Sequence, residues 1–236
     1  LSAKALHFAY GEIQSRMQLQ DPSALDLEYT RTMMGFLLFQ PKPTRVAMIG
    51  LGGGSLPKFC HRYLPRADIR VVEINPHVIA LRDEFHVPRD DARFRVVHGD
   101  GAHFVRYPPH RFDVLLVDGF DIHGLPAQLS SQRFYDDCVE ALQPGGILVV
   151  NLHHDHPHYE AHVDRIGRSF DGTVLVVDNG EPQNCIVFAR RGRALHGPRS
   201  GPIGRPRHLA PAAAEQLHAA FARIERTWRG NERGSD

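Results

Sequence analysis

Residues 46–76, VAMIGLGGGSLPKFCHRYLPRADIRVVEINP, confine the chain to a narrow set of folds. An apolar strand (Val46, Met48, Ile49) runs into glycines at 50, 52, 53 and 54. A helix pattern over 55–64 follows, then a second strand over 69–74 that carries an acid, Glu73, near its end. This is the opening βαβ unit of a nucleotide-binding sheet. Glycines let backbone amides and the helix N-terminus approach a ligand that side chains would hold off. A carboxylate at the tip of the second strand can accept hydrogen bonds from both hydroxyls of a cis diol such as a ribose. A tight turn with close helix packing would explain the glycines alone. An acid about 20 residues beyond the loop favours the nucleoside reading.

The loop also restricts the ligand. The dinucleotide pattern G-x-G-x-x-G needs a third glycine where Ser55 stands, and no Walker lysine–serine pair follows. A single nucleoside with a small substituent, of the S-adenosylmethionine type, fits better than NAD or ATP. Gly50, Gly52, Gly53, Gly54 and Glu73 are the first candidate binding residues.

At 236 residues and 42% hydrophobic, the chain accommodates one α/β domain with appendages. A net charge of +1 speaks against a nucleic-acid binder and a membrane-surface protein. The charge is unevenly spread: from residue 190 onward ten arginines face four acids, leaving the remainder at −5. An acidic body suits a cationic ligand, and a solvated surface accounts for it equally well. Cys60, Cys138 and Cys185 are odd in number, far apart and without CxxC spacing, as expected of reduced thiols in a cytoplasmic protein. No apolar run approaches the roughly 20 residues of a membrane span, and no signal-peptide pattern is present. Leu1 in place of methionine suggests a trimmed or partial chain.

Along the chain, Ile13, Ser15, Met17 and Leu19 alternate with polar residues. Asp21-Pro22-Ser23 reads as a turn into Leu25 and Leu27, so a hairpin is expected over 8–28. Met33, Met34, Leu37 and Leu38 then share a helical face, and Pro41 and Pro43 end that helix. Beyond Glu73, Pro76 opens a helix with Val78, Ile79, Leu81 and Phe85 on its apolar face. Strands are expected over 94–97, 112–117 and 147–151, with a helix over 131–142 stopping at Pro144-Gly145-Gly146. A helix over 159–170 precedes strands at 173–177 and 185–189, joined through Asp178-Asn179-Gly180 as an antiparallel pair. Residues 191–208 read as loop, and 211–228 as a helix packing on the domain or on the partner subunit of a homodimer. The run His153-His154-Asp155-His156-Pro157-His158 has no regular ligand spacing, and no metal site is expected there.

Alternation of this kind builds a mostly parallel α/β sheet covered on both faces, with ligands at the carboxyl ends of its strands. Carboxylates close three successive strands: Glu73, then Asp100, then Asp118 with Asp121. A helix N-cap is the competing explanation for Asp100. The expected division is 1–40 for the hairpin and helix, 41–190 for the nucleoside-binding catalytic domain, and 191–236 for the Arg-rich loop and last helix.

These motifs together resemble the spermidine synthases (polyamine aminopropyltransferases). The markers are IQS at 13–15, IGLGGG at 49–54, VVEIN at 71–75, GDG at 99–101 and FDVLLVDGFDIHG at 112–124, followed by Leu129 and Phe134-Tyr135. The resemblance implies a Rossmann-like, S-adenosylmethionine-dependent methyltransferase fold: a seven-stranded, mostly parallel sheet with a short N-terminal β element. It implies decarboxylated S-adenosylmethionine, or S-adenosylmethionine itself, as co-substrate, and a small amine or polyamine-like acceptor. By the same resemblance Glu73 would bind the ribose, Asp100 and Gly101 would sit by the adenine, Asp118 would accept the proton and Asp121 would help hold the amine. The family's loop aspartate aligns with Gly53, and the aspartate and tyrosine of its D-E-x-x-Y-H-E segment align with Leu27 and Arg31. An arginine at that position would repel a diamine. A methyltransferase using the intact donor and a non-catalytic nucleoside binder are the alternatives.

Overall fold

The computed structural model describes residues 2–7, 15–119, 125–172, 174–179, 184–192, 195 and 203–233. Its centre is a seven-stranded sheet made of β3 (Arg45–Ile49), β4 (Asp68–Glu73), β5 (Phe94–His98), β6 (Phe112–Val117), β7 (Leu142–His153), β8 (Val174–Asp178) and β9 (Asn184–Arg190). The spatial order is β5-β4-β3-β6-β7-β9-β8. The first five strands pair in parallel and β9 pairs antiparallel with both neighbours. The expected mostly parallel sheet and antiparallel last pair are therefore present.

The central strands are apolar throughout because both their faces are covered. Val46 and Met48 of β3 and Val114 and Leu116 of β6 enter one core. Ala47, Ile49, Leu115 and Val117 enter the other. The first core is covered by α1 (Glu28–Met33), α2 (Ser55–Tyr63) and α7 (Pro211–Arg233). On the opposite face lie α4 (Gly101–Arg106), α5 (Gln132–Ala141) and α6 (Tyr159–Ser169). The remaining short helix, α3 (Pro76–Ala80), is capped by Asn75, whose side chain accepts from the His77 amide. Cys60, Cys138 and Cys185 are free and buried. Among the described residues no helix is long and apolar enough to cross a membrane.

Several local expectations are corrected. The hairpin's second limb is not 24–28: β2 (Ser15–Gln18) pairs antiparallel with β1 (Ala3–Leu6). Residues Met34–Leu38 continue α1 as a 3-10 helix, and all of them are buried. Helix α3 ends at Ala80, so exposed Leu81 and buried Phe85 lie beyond it and the helix is shorter than expected. The short helix α4 has no counterpart in the sequence reading. Pro144-Gly145-Gly146 does not end a helix, because α5 stops at Ala141 and β7 begins at the next residue. The register against β6 jumps from Phe112↔Leu142 to Val114↔Ile147, so these turn residues form a bulge within the strand. Arg191 satisfies the bulge, its carbonyl accepting from Gly145 and its amide donating to Gly146.

Helix α7 docks on the domain itself. Ala213, Leu217, Phe221, Ile224 and Trp228 join the same core as Met33 and Met34. Arg223 Nη1 donates to Glu28 Oε1 at 3.0 Å and to Thr32 Oγ1 at 3.2 Å, fixing α7 to α1. The approach is closest at Gly35, where an added Cβ would lie 2.2 Å from Ile224 Cδ1. Gly35→Ala is expected to destabilise by about 1–3 kcal/mol in urea denaturation, and Ile224→Val, which removes that methyl, to recover part of the loss.

Candidate active site

The chain builds outward from β3 to β4 and β5, then returns to place β6 on the other side of β3. A crevice opens at the carboxyl ends of adjacent strands where the order reverses in this way. Here the Gly50 amide donates to Val72 O and the Asp118 amide to Ile49 O, each at 2.9 Å. Gly50 has φ +96°, and a Cβ on it would lie 2.2 Å from the Asp118 carbonyl oxygen. Both the backbone conformation and the space require glycine. A cavity of about 550 Å³ lies over this junction, with Gly50, Gly52, Glu73, Asp100, Gly101 and Asp118 all on its wall.

Glu73 is buried, and each carboxylate oxygen already accepts one backbone amide. Oε2 accepts from Leu51 N–H and Oε1 from Asn75 N–H, both at 2.8 Å. Each oxygen keeps acceptor capacity for a further donor, so the acid can tie the glycine loop to β4 and still receive a diol. Asp100 has a structural duty as well: Oδ1 accepts from the His103 amide at 2.8 Å and caps α4. Gly101 opens that helix with its Cα against Ile49.

The four loop glycines divide into two pairs. Gly50 and Gly52 line the cavity, whereas Gly53 and Gly54 do not. Gly54 has φ +71°, and its Cβ would lie 2.5 Å from Val87 Cγ2. At Gly53 the near neighbours are Ser15 Oγ, at 2.5 Å from a would-be Cβ, and Phe85 at 3.0 Å.

Asp118 follows the last residue of β6 and faces the cavity. Its Oδ1 accepts from Asn151 Nδ2 at 2.9 Å, and Asn184 Nδ2 donates in turn to Asn151 Oδ1 at 3.0 Å. Tyr29 supplies a second hydrogen bond to the carboxylate. Loss of water around the group raises its pKa above the ordinary carboxyl value, and the two hydrogen bonds oppose that rise. Asp121 lies outside the described residues, as do Ile13 and Gln14 of the IQS marker.

Arg31 is not where the ungapped alignment puts it. Its guanidinium donates to Leu25 O at 2.8 Å and to Glu28 Oε2 at 2.9 Å, and it does not line the cavity. The residue of that helix that reaches Asp118 is Tyr29, which sequence reasoning passed over. A signal existed, since one deletion in the D-E-x-x-Y pattern would set Asp26 and Tyr29 in register. Asn151 and Asn184 were also missed, because an amide at a strand end has no distinctive sequence pattern. Three described acids line the cavity, and no described lysine, arginine or histidine does. The site is therefore suited to cations.

Comparison with known proteins now bears on which cation. The model of the spermine/spermidine synthase domain matches residues 26–167. The polyamine aminopropyltransferase of Chromobacterium violaceum is 39% identical over 189 residues, 80% of this chain and 72% of the relative. The chain belongs to the spermine/spermidine synthase family. It is accordingly a transferase, and methyl transfer is the less favoured reading. Solved structures bear on the fold alone. A probable spermidine synthase from Corynebacterium glutamicum superposes with a TM-score of 0.66 at 22% identity, covering 76% of this chain and 70% of that one. Human methyltransferase-like protein 13, in complex with SAH, superposes with a TM-score of 0.63 at 23% identity, covering 86% and 93%. The Rossmann-like methyltransferase fold is thus common to both activities, and family membership separates them.

The Asn151 contact has a measurable consequence. Asn151→Ala removes a hydrogen bond to the charged form of Asp118, so the Asp118 pKa should rise further, read as an upward-moved midpoint in a carboxyl carbon-13 titration.

Proposed function

We propose that the protein is a polyamine aminopropyltransferase that uses decarboxylated S-adenosylmethionine and a small amine acceptor. The observation that carries the reading is Asp118: a desolvated carboxylate held by Asn151 and Tyr29 on the wall of a cavity lined by acids. An alkylammonium is not a nucleophile until it loses a proton, so a base must stand beside the attacking nitrogen. In this reading Asp118 takes that proton. The nitrogen lone pair forms the new C–N bond at the carbon beside the sulfonium, the C–S bond breaks, and its electron pair stays on the sulfur of departing methylthioadenosine. Glu73 holds the ribose, and Asp100 with Gly101 borders the adenine. The sulfonium is already a good leaving group, so most of the acceleration comes from aligning nitrogen, carbon and sulfur. Asp121, three residues beyond Asp118, is proposed to help hold the amine.

Glu73→Ala should weaken methylthioadenosine binding at least tenfold in titration calorimetry. The hydrogen bonds lost are charge-assisted and worth roughly 1.5–3 kcal/mol. Unchanged affinity would remove this acid from the nucleoside site.

Asp118→Asn should keep donor binding and lower turnover by about 10²–10⁴, the usual contribution of a positioned base. Full activity would overturn the assignment. The pKa of Asp118 is raised in the folded protein. Its contribution to stability is therefore present below the unfolded carboxyl pKa and lost as pH rises through the folded one. At neutral pH the asparagine variant should accordingly melt no lower than the unaltered protein, while on acidification the unaltered enzyme should lose activity before the pH has come down to the ordinary aspartate value of about 3.9.

A further inference from the structure

Helix α7 grips the segment that carries Tyr29 at two places. Gln216 Oε1 accepts from the Leu25 amide at 2.9 Å, ahead of α1. Arg223 Nη1 donates to Glu28 Oε1 at 3.0 Å and to Thr32 Oγ1 at 3.2 Å, within α1. Tyr29 lies between these points, on the cavity wall, with its side chain bonded to Asp118. On the other side, Arg16 and Gln18 of β2 donate to Asp26, which precedes the helix. Of these outside partners, Arg223 alone reaches the side chains of α1 proper.

The segment is too short to keep its place unaided. Helix α1 has six residues and begins at Leu27 without a side-chain cap. A helix of that length does not recover the cost of its own nucleation. Arg31 bonds to Glu28 Oε2 and Leu25 O, which stiffens the segment without locating it against the sheet. Glu28 thus gives one oxygen to each of two guanidiniums, and the one from α7 sets its position. Arg223 is 24% and Glu28 21% exposed, so the pair is screened less than a surface ion pair. Glu28 and Thr32 stand one turn apart on the same face, and Tyr29 projects about 100° round from Glu28. A rotation of α1 that releases Arg223 therefore carries the phenol off the carboxylate.

Resting on the reading of Asp118 as the base, we propose that Arg223 is a positioning residue for the transfer reaction. It sets the rotation of α1, and through it the Tyr29 hydrogen bond that holds the Asp118 carboxylate. Arg223 does not line the cavity, so it acts only through α1. Turnover is thereby coupled to the docking of the last helix of the chain.

Carbon-13 titration of the Asp118 carboxyl, with the pH profile of kcat beside it, tests this. Arg223→Met keeps the packing of the stem and loses the donors. It should raise the Asp118 midpoint by roughly 0.5–1 pH unit, the size of one hydrogen bond lost from the charged form. The acid limb of kcat should move up with it, while methylthioadenosine binds as before. Arg223→Lys keeps a cation for Glu28 and should move the midpoint less. Tyr29→Phe should reproduce the shift, and Arg223→Met added to it should add nothing further. Ile224→Val, which loosens α7 without touching Arg223, should leave the midpoint in place. An unmoved midpoint in Arg223→Met would overturn the proposal, as would a shift that adds in full to that of Tyr29→Phe. If Arg223→Met does not fold, Glu28→Gln carries the same test, and an unmoved midpoint there overturns the proposal equally. A midpoint that moves while the kcat profile stays fixed would instead overturn Asp118 as the base.

Discussion

The site depends on how closely β3 and β6 approach at their carboxyl ends. Asp118 N–H bonds to Ile49 O, and Gly50 lies against the Asp118 carbonyl with no room for a Cβ. That contact sets the floor of the cavity. It also fixes the distance between the strand carrying the nucleoside loop and the strand carrying the proposed base. A side chain at position 50 would separate the two strands and pull the reacting groups out of line. Alignment supplies most of the rate in a displacement of this kind, so the cost would fall on turnover before it fell on binding.

The outer elements act on the same geometry from a distance. Helix α7 is held to α1 through Arg223, Glu28 and Thr32, and α1 carries Tyr29 to Asp118. Glu28 also receives Arg31. The cation that looked hostile to an amine acceptor is thus spent on its own helix and the Leu25 carbonyl. The β1–β2 pair brings Ser15 to the loop from the other side. Both appendages deliver a side chain to the cavity that the central sheet cannot.

The sheet was legible because its strands are buried on both faces. FDVLLV at 112–117 can be little else, and the glycine loop with Glu73 pointed to residues that line the cavity at the strand ends. The rest was obscured where one local pattern serves two structures. Proline and glycine at 144–146 mark a turn in most chains, yet here they form a bulge that the Arg191 backbone can satisfy. The alternation at 15–18 was real, but its partner AKAL is too short to stand out. Helix α4 spans only six residues, and its one clue was the capping aspartate, whose position at a strand end suits a ligand group equally well. Tyr29 was hidden by register, since an ungapped alignment gives its place to Arg31. The loop glycines looked equivalent in sequence, and only three dimensions separate the pair facing the cavity from the pair packed against Val87 and Ser15.

The groups around Asp118 suit a half-buried acid to the role proposed for it as a base. Burial alone pushes its pKa up, and a carboxyl left unsupported would hold its proton too well to take another. An arginine beside it would correct this, but would pull the pKa down strongly and weaken the base. It would also place a fixed positive charge next to a sulfonium and an incoming ammonium, in a cavity where charges are poorly screened. Asn151 and Tyr29 avoid both problems. They are neutral donors that stabilise the anion by hydrogen bonds and add no charge. Asn184 in turn fixes the orientation of the Asn151 amide, because its Nδ2 donates to Asn151 Oδ1 and so directs the Asn151 Nδ2 to the carboxylate. A carboxylate held by neutral donors can bind a cation, take its proton and give that proton up again.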